Sequence, residues 1–168
     1  MEIWDAYDSS FKIVKNKYLK RGELIPKGLY HLVCEVIVQH TDGTYLLMQR
    51  DSNKSKGGMW EASAAGSALK GEDAKITAKR ELFEETGIIA NNLEEKYKYI
   101  VPKIQCICVE FFLKTSWEKN KITLQKGETQ DFKWVNAREI IKIKEKGMLT
   151  KTNYKIIMDI QDTLNCFK

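Results

Sequence analysis

The chain has 168 residues, 43% hydrophobic and 30% charged, with a formal net charge of +5. That length suits one domain, here residues 1–168, with a real core, and the composition excludes disordered and collagen-like classes. No apolar run approaches the roughly 20 residues that span a bilayer, and the start Met1-Glu2-Ile3-Trp4-Asp5 lacks the basic-then-apolar form of a signal peptide, so a cytoplasmic, non-membrane protein is expected.

Basic residues are spread along the chain without a long run, which suits small polyanions and argues against a nucleic-acid surface. Cys34, Cys106, Cys108 and Cys166 form no Cys-x-x-Cys pair, and only two histidines are present, which argues against zinc. The cysteines read as reduced thiols acting as small hydrophobes.

Taken in chain order, Ile3 to Tyr7 is a short strand. A Lys-rich polar stretch follows and ends at the turn signal Pro26-Lys27-Gly28. Leu32 to Gln39 alternates as a strand, Asp42-Gly43 marks a tight hairpin, and Tyr45 to Gln49 returns. Residues 51–58 are a polar loop, and Trp60 to Ala65 is one short strand. Gly71-Glu72-Asp73 starts a helix that Gly87 ends, as a residue free to adopt the left-handed C-cap conformation. Tyr97 to Val101 and Ile104 to Leu113 are strands, the second apolar enough to be central, with Cys106 and Cys108 on one face. Lys119-Asn120-Lys121 turns, Asp131 to Val135 is the last strand, and Ala137 to Lys146 is a helix stopped by Gly147. Tyr154, Ile157, Ile160, Leu164 and Phe167 follow helical spacing. Antiparallel strands with three helices give the α+β class.

The chemistry concentrates between Gly66 and Ile88. Glu81, Glu84 and Glu85 fall at i, i+3 and i+4, within an arc of roughly 100° on a helix. Like charges at this spacing destabilise a helix by a few tenths of a kcal/mol, roughly. A hard divalent cation reverses that penalty, because it takes oxygen ligands from carboxylates and from substrate phosphates. A solvated acidic face would explain scattered glutamates, but not the flanking glycines or Arg80.

The spacing Gly66-x5-Glu72-x7-Arg80-Glu81-Leu82-x-Glu84-Glu85-x-Gly87-Ile88 resembles the Nudix box at every fixed position. The resemblance implies a mixed β-sheet sandwiched between helices, the box forming a loop-helix-loop over residues 66–88. It implies Mg2+ or Mn2+ held by Glu84 and Glu85, with Glu81 as third ligand or base; which carboxylate takes the proton from water stays open. Arg80 would hold a catalytic glutamate by charge-assisted hydrogen bonds, or form a plain surface pair. Glu72 is a metal-proximal or loop-fixing group, or a helix-start carboxylate. Gly66 lets the chain turn close to the metal, with its carbonyl a further ligand candidate, and Gly87 is structural. Glu128 stands where some family members place a further catalytic glutamate, although loop carboxylates are mostly solvated. Arg50, Lys54 and Lys56 are placed to meet phosphates. Trp60, Tyr99 and Phe112 stack on a base or pack the core.

Glu2-Ile3-Trp4-Asp5, Arg21-Gly22-Glu23, Gly28-Leu29-Tyr30-His31 and Leu46-Leu47-Met48-Gln49-Arg50 look like the Nudix subgroup related to isopentenyl diphosphate isomerase, with His31 a partly buried framework residue. That isomerase uses a Cys just before the box glycine and a His just after it, where this chain has Ala65 and Ser67. The expectation is therefore a Mg2+- or Mn2+-dependent hydrolase of a nucleotide or other diphosphate substrate. The alternatives are an isomerase of an allylic diphosphate and a nucleotide sensor without turnover. Related proteins are often dimers, so a homodimer is a further expectation.

Overall fold

The computed structural model describes residues 1–166, except the side chains of Lys151 and residues 163–166. Its strands are β1 (Ile3–Tyr7), β2 (Ile13–Lys20), β3 (His31–His40), β4 (Tyr45–Arg50), β5 (Trp60–Glu61), β6 (Ala64–Ser67), β7 (Glu94–Val101), β8 (Cys106–Thr115) and β9 (Thr129–Val135). Its helices are α1 (Ala74–Thr86), α2 (Ala137–Glu145) and α3 (Lys151–Cys166). Three of the positions singled out in the sequence, Leu164, Cys166 and Phe167, have side chains outside the described residues.

Near-continuous apolar strands suit a sheet buried on both faces, and β3 and β8 are two such strands. They run parallel, from His31 opposite Cys106 to His40 opposite Thr115. Around them a seven-stranded mixed sheet is ordered β5-β4-β3-β8-β7, with β6 also on β3 and β9 also on β4. On one face Cys34, Val36, Val38, Val109, Phe111 and Leu113 pack with Ala78 and Leu82 of α1. On the other, Ile37, Tyr45, Leu47 and Phe112 pack with Ile140 of α2 and Ile156, Ile157 and Ile160 of α3. The alternation of β-strand side chains thus builds both cores from the same strands, and the sheet lies between helices as expected.

Four expectations are corrected. The Lys-rich stretch after Tyr7 is strand β2, paired with β1 in a separate two-stranded ribbon. Trp60 to Ala65 is two strands: the backbone amide of Ala62 donates to Asn153 Oδ1 (3.1 Å), and the Ser63 hydroxyl accepts from Val38 N and donates to Leu46 O, each at 2.9 Å. The serine thus fills the gap where β3 and β4, paired only at Gln39 and Tyr45, diverge after their turn. Helix α1 starts at Ala74, because Asp73 Oδ1 caps it by accepting from Ile76 N at 2.8 Å. Residues 102–104 form a 3-10 turn, and β8 begins at Cys106. Gly87 ends α1 as expected, with φ 76° and its amide on Phe83 O. Cys106 and Cys108 do share a face, with sulfurs 3.4 Å apart.

Toward the α3 side, Glu35 and Glu110 face one another across the β3–β8 register. Glu110 is fully buried; Tyr99 Oη donates to its Oε1 (2.7 Å), and its Oε2 has no partner among the described residues. Burial, and then the charge of Glu35, push Glu110 up to about 8 from an ordinary value of 4.5. Between those two values the folded chain holds a proton that the unfolded chain has released, so stability falls as pH rises through that window. In EDTA, Glu110→Gln should flatten the urea-unfolding free energy measured between pH 5 and 8, removing a slope of up to about 1.4 kcal/mol per pH unit. An unchanged slope would show that this buried acid does not titrate there.

Candidate active site

Arg80 ties the loop before α1 to the second half of the helix. Its Nε and Nη2 donate to the two oxygens of Glu72 at 2.8 and 2.9 Å, and Nη2 also reaches Ser67 O at 3.1 Å. Its Nη1 donates to Glu81 Oε1 at 2.7 Å and Glu84 Oε2 at 3.3 Å. Glu72 further accepts from Leu69 N at 2.9 Å and Thr77 Oγ1 at 3.1 Å. Glu72 therefore clasps loop to helix, and Arg80 beside it holds its carboxyl below the usual range. The Arg80–Glu72 fork is less than a quarter exposed, so it contributes more than an ordinary surface pair.

Gly66 faces Glu81 across this clasp. A Cβ built on Gly66 would lie 2.0 Å from the Glu81 Oε1 and Cδ atoms. Its φ is not left-handed, so the position calls for glycine because of the close approach. Glu85, one helical turn further along, is 7% exposed. Burial raises its pKa well above the ordinary range; the charges of Glu81, Glu61 and Glu128 add to that, and the Ala65 amide opposes it. Glu81 is also raised, first by burial, with Arg80 opposing.

These groups open on one cavity of about 380 Å3, lined by Ala65, Gly66, Ser67, Arg80, Glu81, Glu84 and Glu85 together with Arg50, Lys54 and Glu128. The fold thus brings Gly66, Arg80, Glu81, Glu84, Glu85, Arg50, Lys54 and Glu128 to one cavity, whereas Trp60, Lys56, Tyr99, Phe112 and Glu72 do not line it. Trp60 is 9% exposed and packs in the core on the α3 side, with Lys133 Nζ 3.6 Å above its ring centre, and does not line the cavity. Tyr99 is committed to Glu110, and Phe112 is core. Arg50 and Lys54 reach the cavity already paired. Arg50 Nη1 donates to both oxygens of Glu61 at 2.8 and 2.7 Å, and Lys54 pairs with Glu128.

Three charged contributors were not singled out as site residues: Glu61, and Glu2 and Arg21, themselves an ion pair. Glu61 was signalled by strand alternation, since burying Trp60 turns its neighbour to the other face. Glu2 and Arg21 stood in two of the N-terminal motifs without a site role, and the β1–β2 ribbon carries them there. Lys70 N donates to Ile3 O at 2.8 Å and Gly71 N to Asp5 Oδ2 at 2.7 Å, docking the ribbon on the loop before α1.

Carboxylates outnumber cations six to four along this cavity, and no cation among the described residues pairs with Glu85. An oxygen-rich site with excess buried acid and a glycine-made space fits a hard divalent ion. No three acids, histidines or cysteines among the described residues already converge as an ion cage, so exposed Glu84 and Lys54-bound Glu128 would close on the ion. No helix among the described residues is long and apolar enough to cross a membrane.

Solved structures share this architecture. The chain aligns with the crystal structure of DR0079 from Deinococcus radiodurans over 94% of its length and 98% of that chain, with TM-score 0.74 and 13% identity. It aligns with a bifunctional NMN adenylyltransferase/ADP ribose pyrophosphatase from Francisella tularensis, complexed with AMP and a Mn ion, over 80% of its length and 42% of that chain, with TM-score 0.65 and 19% identity. At such identities the likeness is one of fold. In sequence, the chain is 30% identical over 148 residues to an uncharacterized Nudix hydrolase of Listeria monocytogenes, covering 88% of this chain and 87% of the relative. Residues 29–160 match the NUDIX domain family model. With the box intact at every fixed position and its acids gathered on one cavity, the chain belongs to the Nudix family and is a pyrophosphohydrolase.

Proposed function

We propose that the protein hydrolyses the pyrophosphate bond of a nucleoside diphosphate linked to a further group, using Mg2+ or Mn2+ held by Glu81, Glu84 and Glu85 with the Gly66 carbonyl. The observation that carries this reading is the convergence of those acids and Gly66 on one cavity, with Arg80 fixing Glu81. A bound divalent ion would supply charge neutralisation for the pyrophosphate and a more acidic water. Arg80 keeps Glu81 oriented. Gly66 leaves the space that Glu81 needs. Glu128, on the loop before β9, serves as the further ligand or base, and Arg50 and Lys54 exchange their carboxylate partners for phosphate oxygens as substrate enters. The Mn and AMP of the Francisella tularensis protein support the same chemistry by analogy of fold.

Within the family we place the chain in the subgroup related to isopentenyl diphosphate isomerase, on its N-terminal motifs, as a hydrolase acting as one domain. Ala65 and Ser67 support hydrolysis over isomerisation, since an alanine neither donates nor accepts a proton. The free thiols of Cys34, Cys106 and Cys108 suit a reducing, cytoplasmic place of work.

With Mg2+ or Mn2+, the purified protein should release product from a panel of nucleoside diphosphates linked to sugars, amines or nucleosides, and EDTA should abolish this. Glu85→Gln should lower kcat by about a thousandfold, while its Tm in EDTA is no lower than the parent's, because the substitution removes the cost of ionising a buried acid. Metal-independent turnover, or a variant with full kcat, would overturn the reading.

Gly66→Ala tests the close approach. The added methyl must displace the Glu81 carboxyl from Arg80, and kcat should fall about 100-fold with Tm changed by only a few degrees. Unaltered kinetics would mean that the position of Glu81 does not matter for turnover.

A further inference from the structure

A second cavity of about 360 Å3 lies beside the first, and Arg50, Glu61 and Ala65 line both. A group attached to phosphates held at Glu81 and Glu84 therefore meets the Arg50–Glu61 pair and then this space. We propose that this cavity receives the non-phosphate end of the substrate and selects an aliphatic group bearing hydrogen-bond donors, hydroxyls or an amine, over an aromatic base. The proposal rests on the hydrolase reading and names its substrate class.

Three features of the cavity carry it. The first is its lining, which contains no Trp, Tyr, Phe or His ring among the described residues. A base is ordinarily held by stacking on such a ring, and this cavity offers Ala62, Val101, Ile104 and Cys108 instead.

The second is a fixed acceptor. Asn153 Oδ1 accepts from Thr150 Oγ1 at 2.6 Å and Ala62 N at 3.1 Å, which sets the amide orientation, and Asn153 Nδ2 then donates to Glu35 Oε2 at 2.7 Å. The carboxyl of Glu35 is thus immobilised in the cavity wall, and its Oε1 has no hydrogen-bond partner among the described residues. A ligand donor would complete it, and a buried acceptor built for a donor rejects ligands that lack one.

The third is the pairing of the neighbouring charges. Arg50, which lines the cavity, donates to both oxygens of Glu61, and Lys56 stands exposed at the mouth. Glu35 is thus the acid left in this wall to accept, which favours ligand N–H and O–H groups there.

With Mg2+, kcat/KM is compared for ADP-ribose and ADP-glucose (hydroxyl-bearing), CDP-ethanolamine (amine-bearing), diadenosine polyphosphates (a base at each end) and isopentenyl diphosphate (apolar). The hydroxyl- or amine-bearing substrates should exceed the others by about tenfold or more, and the contrast between these two arms identifies the donor. Glu35→Ala should raise KM for the preferred substrate about tenfold, with kcat within about twofold. Because that change also releases Asn153, Thr152→Phe is the companion variant; Thr152 is exposed at the start of α3 and lines the cavity, so a ring there fills the space from outside the core. It should raise the same KM. Preference for diadenosine polyphosphates or isopentenyl diphosphate, or unchanged KM in both variants, overturns the substrate class and leaves the hydrolase reading standing. Absence of hydrolysis across the whole panel with either Mg2+ or Mn2+ overturns both.

Discussion

The arrangement of this molecule depends on one guanidinium. Arg80 holds Glu72, Glu81, Glu84 and the Ser67 carbonyl at once, and those groups belong to the loop before α1, to the helix itself and to the last residue of β6. Without it, Glu81 and Glu84 would repel one another within a single helical turn, and the loop bearing Gly66 would lose its tie to the helix. Lysine could not replace it, since a point charge cannot fork onto Glu72 while reaching a second carboxylate. The arginine offsets the mutual repulsion of the acids that gather at the cavity.

The same tension recurs through the sheet. Glu35, Glu61, Glu85 and Glu110 are held in places where burial raises their pKa values. Each such group costs stability when charged, and none is needed to fill the two hydrophobic cores. Acids retained at a cost to the fold are a mark of sites under functional demand. Here they run from α1 through β5 to the β3–β8 pair; Glu35, Glu61 and Glu85 line the two adjoining cavities, and Glu110 lies opposite Glu35 in the register.

The central strands and helix α1 were legible in the sequence because their patterns are local. An alternation of Cys34, Val36 and Val38 with Ile37 marks a strand whatever surrounds it, and the box spacing marks its own helix. What stayed hidden depends on partners distant in the chain. Strand β2 carries Lys15, Lys17 and Lys20 because an edge strand is kept from unwanted pairing by charge, and that pattern reads as a loop. The break between β5 and β6 is made by Ser63 and Asn153, which replace ladder hydrogen bonds with side-chain ones. The start of α1 was misplaced because Glu72, an apt residue for a first turn, is drawn away by Arg80 and leaves the cap to Asp73. Trp60 was ambiguous by nature: a tryptophan beside a site packs or stacks, and only the placement of α3 decides it.

Ala65 joins the two lines of argument. It precedes the box glycine, where the isomerase of the proposed subgroup carries its catalytic cysteine, and it lines both cavities. A proton donor at this junction would stand between the phosphates and the group they carry, well placed to act on carbon. A methyl group there can do neither acid nor base work. On the proposed reading, the chemically equipped end of the site is thus confined to the Glu81–Glu85 side, where phosphorus lies. The far cavity is left to recognition, which its fixed Glu35–Asn153 pair and ringless lining suit. On that reading, the same geometry that would serve proton transfer in an isomerase separates bond cleavage from substrate choice.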